Sequence, residues 1–371
     1  MPPKKAKKAY ELATKLPAGE ILHGLAKKKW KLGKWFATGG FGHLYLGHDI
    51  SDANPVKHPV VIKMEPAENG PLFQETHVYM RIAKPEMIEE WKKKHGLKFL
   101  GIPSYLGSGL HAKGEESFRF LVLPRFGENL DSLASSSHLQ LPPNDVCSLA
   151  LCVLDALEYL HSFHCVHADV KAENLLLPHH SGPSKSGDLQ KVTLVDFGLA
   201  KKVAATPKYQ ENPKKAHDGT LIFTSLDAHK GADPSYRGDV EILAYNMLYW
   251  LSGGALPWHK DTEPATGGVK KILGGKKAAG EKVEKLMVRL LEDVYGTDYG
   301  KKVNYGRIRQ ILEAGTGFKG AESASAAGTS KRKSVAEKRD SSASESEGEN
   351  EEEKSPPRKK KTAGTDSYKE D

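Results

Sequence analysis

Two short stretches constrain this chain more than anything else in it. One is His167-Ala168-Asp169-Val170-Lys171-Ala172-Glu173-Asn174; the other, 22 residues after Asn174, is Asp196-Phe197-Gly198. Their side chains have complementary uses only if the fold brings the two loops to one place. Asp169 can orient an acceptor hydroxyl and take its proton. Lys171 can neutralise charge on a phosphate in flight. Asn174 and Asp196 offer the hard oxygen ligands that magnesium prefers. Together they are the groups needed to move a phosphoryl group from ATP to a hydroxyl.

Upstream, Trp30 to Gly47 reads as strand, glycine turn, strand. The turn is Ala37-Thr38-Gly39-Gly40-Phe41-Gly42. Glycines there let backbone amides approach phosphate oxygens with no side chain in the way. Against the pattern GxGxxGxV, the later glycines fall on Gly39 and Gly42, Leu44 takes the Val position, and Ala37 stands where the first glycine would be. One Cβ at that point predicts altered nucleotide affinity with binding retained. By itself such a turn is equally well an ordinary hairpin.

Pro59-Val60-Val61-Ile62-Lys63 is a short β-branched run that reads as a buried strand ending in a lysine. A buried lysine needs partners. ATP phosphates are one, and Glu75 on the following helix, about 71–82, is another. Phe73, Val78, Tyr79 and Ile82 are placed on the inner face of that helix by spacing. A second, polar helix spans Pro85 to Gly96. Tyr105–Leu110 and Phe118–Leu123 read as a hairpin completing the small sheet. Pro124-Arg125-Phe126-Gly127 is the expected connector, where backbone atoms can bond the adenine edge with Leu123 behind. Leu44, Val61 and Leu176 are candidates to sandwich adenine.

Val146, Leu149, Ala150, Val153, Leu157 and Leu160 recur at three- and four-residue spacing, predicting a long buried helix from Pro142 to Phe163. His161, His164 and His167 stand three apart. The segment leaves a helix and enters a strand, so they are not expected to converge on a metal; His167 is expected to pack under Phe197, with Tyr79 as the next layer. Thr220 is where a hydroxyl can bridge Asp169 and Lys171. Asp239, opening an apolar helix, can accept from backbone amides of the Asp169 loop. Two further helices are expected at about 280–294 and 304–314.

The chain has 371 residues and a formal charge of +8. The charge is uneven: residues 1–34 hold ten lysines against two acids, and 35–315 balance. The chain therefore divides into a basic arm, 1–24, and a body, 25–315, that is neutral from residue 35 onward, with a smaller part at 25–124 and a larger one at 128–315. Such an arm can meet nucleic acid or acidic proteins by charge alone, or merely keep the chain soluble. Residues 316–371 are rich in Ser, Ala, Lys and Glu, too poor in apolar surface to offset an ordering cost of roughly 1–2 kcal/mol per residue. There, Pro356-Pro357-Arg358-Lys359-Lys360-Lys361 reads as a nuclear-import signal, with a solvated charge run as the alternative. Ser344, Ser346 and Ser355 are candidate modification sites. Three cysteines without metal spacing suggest a reducing compartment. No apolar run of about 18 residues predicts a membrane span, and the N-terminus lacks the apolar core of a signal peptide.

At this point residues 25–315 resemble the vaccinia-related kinases, in the casein kinase 1 group of eukaryotic protein kinases. The resemblance rests on Asn69-Gly70-Pro71-Leu72-Phe73, on Val166 through Ala172, on His217-Asp218-Gly219-Thr220 with Phe223 through His229, and on Arg237 through Leu243 with Leu256-Pro257-Trp258. Ser225-Leu226-Asp227 in place of Ala-Pro-Glu is a group feature. The resemblance implies an α+β bilobal kinase fold, with a small β-rich N-lobe bearing one main helix and a larger, mostly helical C-lobe. It implies ATP and magnesium as cofactors and Ser/Thr specificity. It also implies nuclear substrates such as histone H3 and barrier-to-autointegration factor, with roles in chromatin, the nuclear envelope and the cell cycle. A monomer in the nucleus, with the cytoplasm as a further compartment, is the matching expectation. Three positions depart from the pattern: Ala37, Ala168 where the family usually has Gly and most kinases Arg, and Tyr236 in place of the first residue of an Arg pair. An Arg at 168 would bind a phosphorylated activation loop, so Ala168 predicts activity without that modification. A catalytically silent scaffold is the competing reading; the completeness of Lys63, Glu75, Asp169, Lys171, Asn174 and Asp196 argues against it.

Overall fold

A six-stranded antiparallel sheet forms the first half of the body, in the order β1-β2-β3-β4-β6-β5. In this computed structural model the described residues are 12–39, 42–51, 59–133, 140–180, 187–212, 214, 219–254, 256, 258 and 280–317. The strands are β1 (Ile21–His23), β2 (Lys29–Thr38), β3 (His43–Asp49), β4 (Val60–Pro66), β5 (Gly107–Lys113) and β6 (Glu116–Pro124). Alternation sets their faces. Tyr45, Ile62, Met64, Phe120 and Val122 pack on one side with Leu22, Trp30 and Leu32. Leu44, Val61 and Lys63 fall on the other, which faces the cleft.

The segment read as a basic arm divides here. Ala13 and Leu16 are buried in the outer core, and Ile21–His23 pairs with β2. Residues 12–24 therefore pack as part of the sheet's outer layer. A three-residue strand carries no periodicity of its own to reveal it. Residues 1–11, Gly40, Phe41, His217, Asp218, Pro257 and the tail with its import-like run lie outside the described residues.

Helix α1 (Pro71–Ile82) starts with Pro71 at its first turn, where a missing N–H costs nothing. Its buried side is Leu72, Glu75, Thr76, Tyr79 and Ile82. Tyr79 and Ile82 are on the inner face as expected, but Phe73 is not: it is 47% exposed, packs at a tilt on His77 at 4.2 Å and lies beneath Arg119, while Val78 is half-buried. A hydrogen bond from the Leu72 amide to Glu65 Oε2 (3.1 Å) sets the phase by anchoring the first turn. Helix α2 (Pro85–His95) ends at Gly96, which takes the left-handed conformation favoured at a helix stop.

The second half is built around α3 (Pro143–Ser162) and α5 (Tyr236–Ser252). Both are apolar on more than one face, and α5 buries nearly its whole surface, including Trp250, Tyr245 and Met247. Each fully buried Leu-sized side chain contributes about 1.5–3 kcal/mol. Helices α6 (Gly280–Tyr295) and α7 (Tyr305–Thr316) pack against them. The short α4 (Leu226–His229) is capped by Ser225. Between α3 and α5 run the short pairs β7 (Cys165–Val166) with β10 (Lys201–Lys202), and β8 (Leu175–Leu176) with β9 (Thr193–Leu194). Cys147, Cys152 and Cys165 are buried free thiols. Among the described residues no helix is long and apolar enough to cross a membrane.

Candidate active site

The β8–β9 ladder brings the two diagnostic loops together. Leu175 pairs with Leu194, and the Val195 amide donates to the Asn174 carbonyl (2.9 Å), so Asn174 and Asp196 emerge side by side. Asn174 Nδ2 donates to the Asp169 carbonyl oxygen (2.9 Å) and to Asp169 Oδ2 (3.3 Å). With Nδ2 committed, Oδ1 is the amide atom left to ligate a cation. Asp196 is half-exposed and sits at a left-handed φ of 67°. Its Oδ1 accepts from the Gly198 amide (3.3 Å) and lies 3.9 Å from Lys63 Nζ. A carboxylate and an amide oxygen beside one another fit a hard divalent ion.

Asp169 is almost fully buried yet richly partnered. Oδ1 accepts from Thr220 Oγ1 (2.7 Å) and the Thr220 amide (3.1 Å); Lys171 Nζ lies 3.0 Å from Oδ2 and also donates to Thr220 Oγ1 (3.0 Å). Burial by itself would raise the Asp169 pKa, but Thr220 and Lys171 outweigh it and hold the carboxyl below its ordinary range. The group is an ionised acceptor at neutral pH.

Lys63 Nζ meets Glu75 at 2.6 Å, the pair expected from the strand-lysine and the next helix. Burial disfavours the Lys63 charge, but Glu75 and Asp196 overcompensate and hold its pKa above the ordinary value. Tyr79 packs on Phe197 (4.8 Å between centroids) and Phe197 on His167 (5.3 Å), linking α1 to the loop beneath it. His167 Nε2 faces the Val195 carbonyl (3.1 Å), which can only accept, so Nε2 carries the proton and Nδ1 accepts from the Asp169 amide (3.3 Å).

Below the loop, Asp239 on α5 accepts from the His167 amide (2.7 Å), the Ala168 amide (2.8 Å) and His161 Nε2 (2.9 Å). The three spaced histidines thus part company: His161 also meets the Tyr305 hydroxyl (2.6 Å), and His164 meets the Tyr236 hydroxyl (2.9 Å). Tyr236 is 4% exposed, so it is a packing residue at this position. Asp227 forms a two-pronged pair with Arg237, both at 2.9 Å, tying the Ser-Leu-Asp segment to α5.

A cleft of about 1350 Å³ joins these groups to the sheet. Its lining includes Gly39, Gly42, Leu44, Val61, Lys63, Glu75, Leu123, Phe126, Asp169, Lys171, Asn174, Leu176 and Asp196. Three expected residues among the described ones are not in it. Ala37 is a strand residue paired with Leu44, and the Thr38 hydroxyl is bonded to His43 Nδ1 (3.0 Å). Thr220 also stands outside the lining and reaches the site through Asp169 and Lys171. Phe36, Leu46, Ser132 and His179 line the cleft without having been singled out. Leu46 was readable as the same-face neighbour of Leu44, two residues on. His179 lies in a loop and Ser132 in the single 3-10 turn Leu130–Leu133, too short to carry a periodic signal.

A sheet-based lobe, a helical lobe and a cleft holding a lysine–glutamate pair, an aspartate loop and an Asp-Phe-Gly turn together define the bilobal protein kinase fold. Residues 37–272 match the protein kinase domain. Among similar proteins are Serine/threonine-protein kinase VRK1 of Caenorhabditis elegans, 36% identical over 84% of this chain and 51% of that one, and Nucleosomal histone kinase 1 of Drosophila melanogaster, 43% identical over 69% and 41%. A solved structure of vaccinia related kinase 3 superposes with a TM-score of 0.67 at 31% identity, covering 81% of this chain and 92% of that one. This chain belongs to the vaccinia-related kinase family. It spans between 41% and 60% of the length of the first curated relatives it matches.

Proposed function

We propose that this chain is a magnesium- and ATP-dependent Ser/Thr protein kinase that modifies nuclear, chromatin-associated proteins. The observation carrying the proposal is the Asp169 network: an ionised carboxylate oriented by Thr220, Lys171 and Asn174, beside Asp196. Asp169 orients the substrate hydroxyl and accepts its proton; Lys171 and Lys63 offset the charge of the phosphates. Asn174 and Asp196 would hold magnesium, which supplies charge neutralisation for the triphosphate. Leu44, Val61 and Leu176 clasp adenine, with Leu123 behind it and the backbone near Phe126 at its edge. Gly39 and Gly42 cover the phosphates.

Asp169→Asn tests the assignment. Phosphate incorporation should disappear while Mg-ATP binding stays close to wild type; unchanged turnover would refute the role. Phosphosite mapping on nuclear extract with this variant as the control identifies substrates. Support for chromatin proteins, histone H3 and barrier-to-autointegration factor among them, comes from the family and from a relative named for nucleosomal histone phosphorylation. The import-like basic run supports a nuclear location.

Activity does not require a phosphorylated activation loop. Ala168 has no cation to bind such a phosphate, and Asp239 holds the Asp169 loop from below without it. Enzyme made in bacteria and treated with phosphatase should turn over; complete inactivity after treatment would end this reading.

A further inference from the structure

His43, directly after the glycine turn, has no part in the proposed chemistry. It is 4% exposed and its ring has a partner at each nitrogen. Nε2 lies 2.8 Å from the Ala13 carbonyl oxygen and Nδ1 lies 3.0 Å from Thr38 Oγ1. A carbonyl only accepts, so Nε2 holds the proton and Nδ1 accepts from the Thr38 hydroxyl. Trp35 and Tyr45 present ring edges about the imidazole at centroid distances of 6.5 and 6.4 Å.

The Ala13 end is itself anchored. The Leu16 amide donates to the Tyr45 hydroxyl (2.9 Å), Thr14 Oγ1 donates to Glu116 (2.8 Å), and Lys15 Nζ lies 3.5 Å from the centre of the Trp35 ring. Residues 13–16 thus form a strap across the face of the sheet that points away from the nucleotide. The other end, Thr38, is the last residue of β2 before the turn and pairs with His43. The backbone ladder leading there is interrupted twice, between Leu32 and Trp35 and between Trp35 and Ala37. Such irregularities loosen the mechanical link between a strand and its tip. On the return limb, Gly42 is pressed on β4, where a Cβ would lie 2.0 Å from the Met64 carbonyl oxygen. One limb of the turn is therefore fixed by close backbone packing. The other is fixed through a side chain.

We propose that His43 is a positioning residue for the nucleotide loop, transmitting the docking of residues 13–16 through Thr38 to the glycine turn and so setting ATP affinity. The proposal rests on the nucleotide reading of the cleft. Its effect falls on binding, because Asp169 and its partners lie in the other lobe.

The test uses the full chain, isothermal titration with Mg-ATP, and steady-state kinetics. His43→Phe keeps the ring but loses both bonds; its Kd and KM for ATP should rise about five- to tenfold, the scale of one lost hydrogen bond, with kcat within about twofold. His43→Gln, whose amide can donate to Ala13 and accept from Thr38, should restore most of the affinity. Removing residues 1–16 should match His43→Phe, and combining the two should add little, since both cut one connection. Equal ATP affinity in the Phe and Gln variants, or a truncated chain with wild-type affinity, would overturn the proposal while leaving the kinase reading in place. Wild-type protein that binds no Mg-ATP would remove both.

Discussion

Asp239→Asn isolates the contribution of α5 to the geometry of the Asp169 loop. The wild-type carboxylate is 1% exposed and accepts three hydrogen bonds, from two consecutive backbone amides and from His161. An amide of the same shape has one oxygen and one NH2 group. If NH2 takes the place of Oδ1, it confronts the Ala168 N–H; if it takes the place of Oδ2, it confronts both the His167 N–H and His161. The better orientation loses one bond, worth about 1.5–3 kcal/mol when an ion accepts it, and buries an unpaired N–H at a cost of about 1–3 kcal/mol. A loss of about 3–5 kcal/mol follows, a large part of the 5–15 kcal/mol typical of a folded domain. The damage is local as well as global. Ala168 is held at a φ of 67°, a left-handed geometry that costs a residue with a Cβ about 1–2 kcal/mol. Once its amide is released, Ala168 relaxes and Asp169, the next residue, moves with it. Urea unfolding should show the full loss. Turnover should fall at least about tenfold, the effect of ~1.4 kcal/mol at the transition state. Mg-ATP affinity, which the proposed function assigns largely to Lys63 and the adenine pocket, should change little. A stability loss under about 1 kcal/mol with unchanged turnover would refute the accounting.

Ala168→Gly should do the reverse: relief of the left-handed strain, offset by about 0.5–1 kcal/mol of glycine backbone entropy, leaves a gain of about 0.5–1 kcal/mol, readable as a small rise in Tm. A lower Tm would show that the conformation is not strained. Glu65→Gln should alter the pH dependence of stability. Burial pushes Glu65 up to about 7 from 4.5, so between those values the folded state keeps a proton that the unfolded chain has released. Stability from this group therefore falls as pH rises through that window, with Glu241, also raised to about 7 by burial, acting in the same direction. The Gln variant keeps an acceptor for the Leu72 amide and should gain on the order of 1–3 kcal/mol over wild type at pH 8 and almost nothing at pH 5. An equal difference in urea midpoint at both pH values would contradict the titration.

Much of the site was legible because its parts lie in short, chemically distinctive runs. The meeting of Asp169 with Lys171 and Asn174 could be expected from residue type and spacing, and the pairing of Lys63 with Glu75 from the improbability of a lysine ending a β-branched strand. The long periodicity of α3 was likewise readable. What escaped were features with weak local signals. On α1 the expected inner face was right for Tyr79 and Ile82 and wrong for Phe73, because Leu72 and Phe73 are equally apolar and it is the Leu72 turn that Glu65 anchors. The strap at 13–16 follows a lysine-rich stretch, and its two buried residues gain meaning only beside Tyr45 and His43. Thr38 sits in a phosphate-loop pattern, yet its hydroxyl is drawn to a histidine that the pattern does not include.

The sequence by itself determined which reactive groups this protein carries and the local periods that put them on strands, helices or turns, since both depend on residues within a few positions of one another. Only the tertiary structure decided which of those groups meet. The seat of Asp239 under Ala168 and the reach of His43 to Ala13 both join residues distant in the chain. Such partners are chosen by packing and hydrogen-bond satisfaction in the folded body, where a buried polar group left without one costs more than the bond itself contributes.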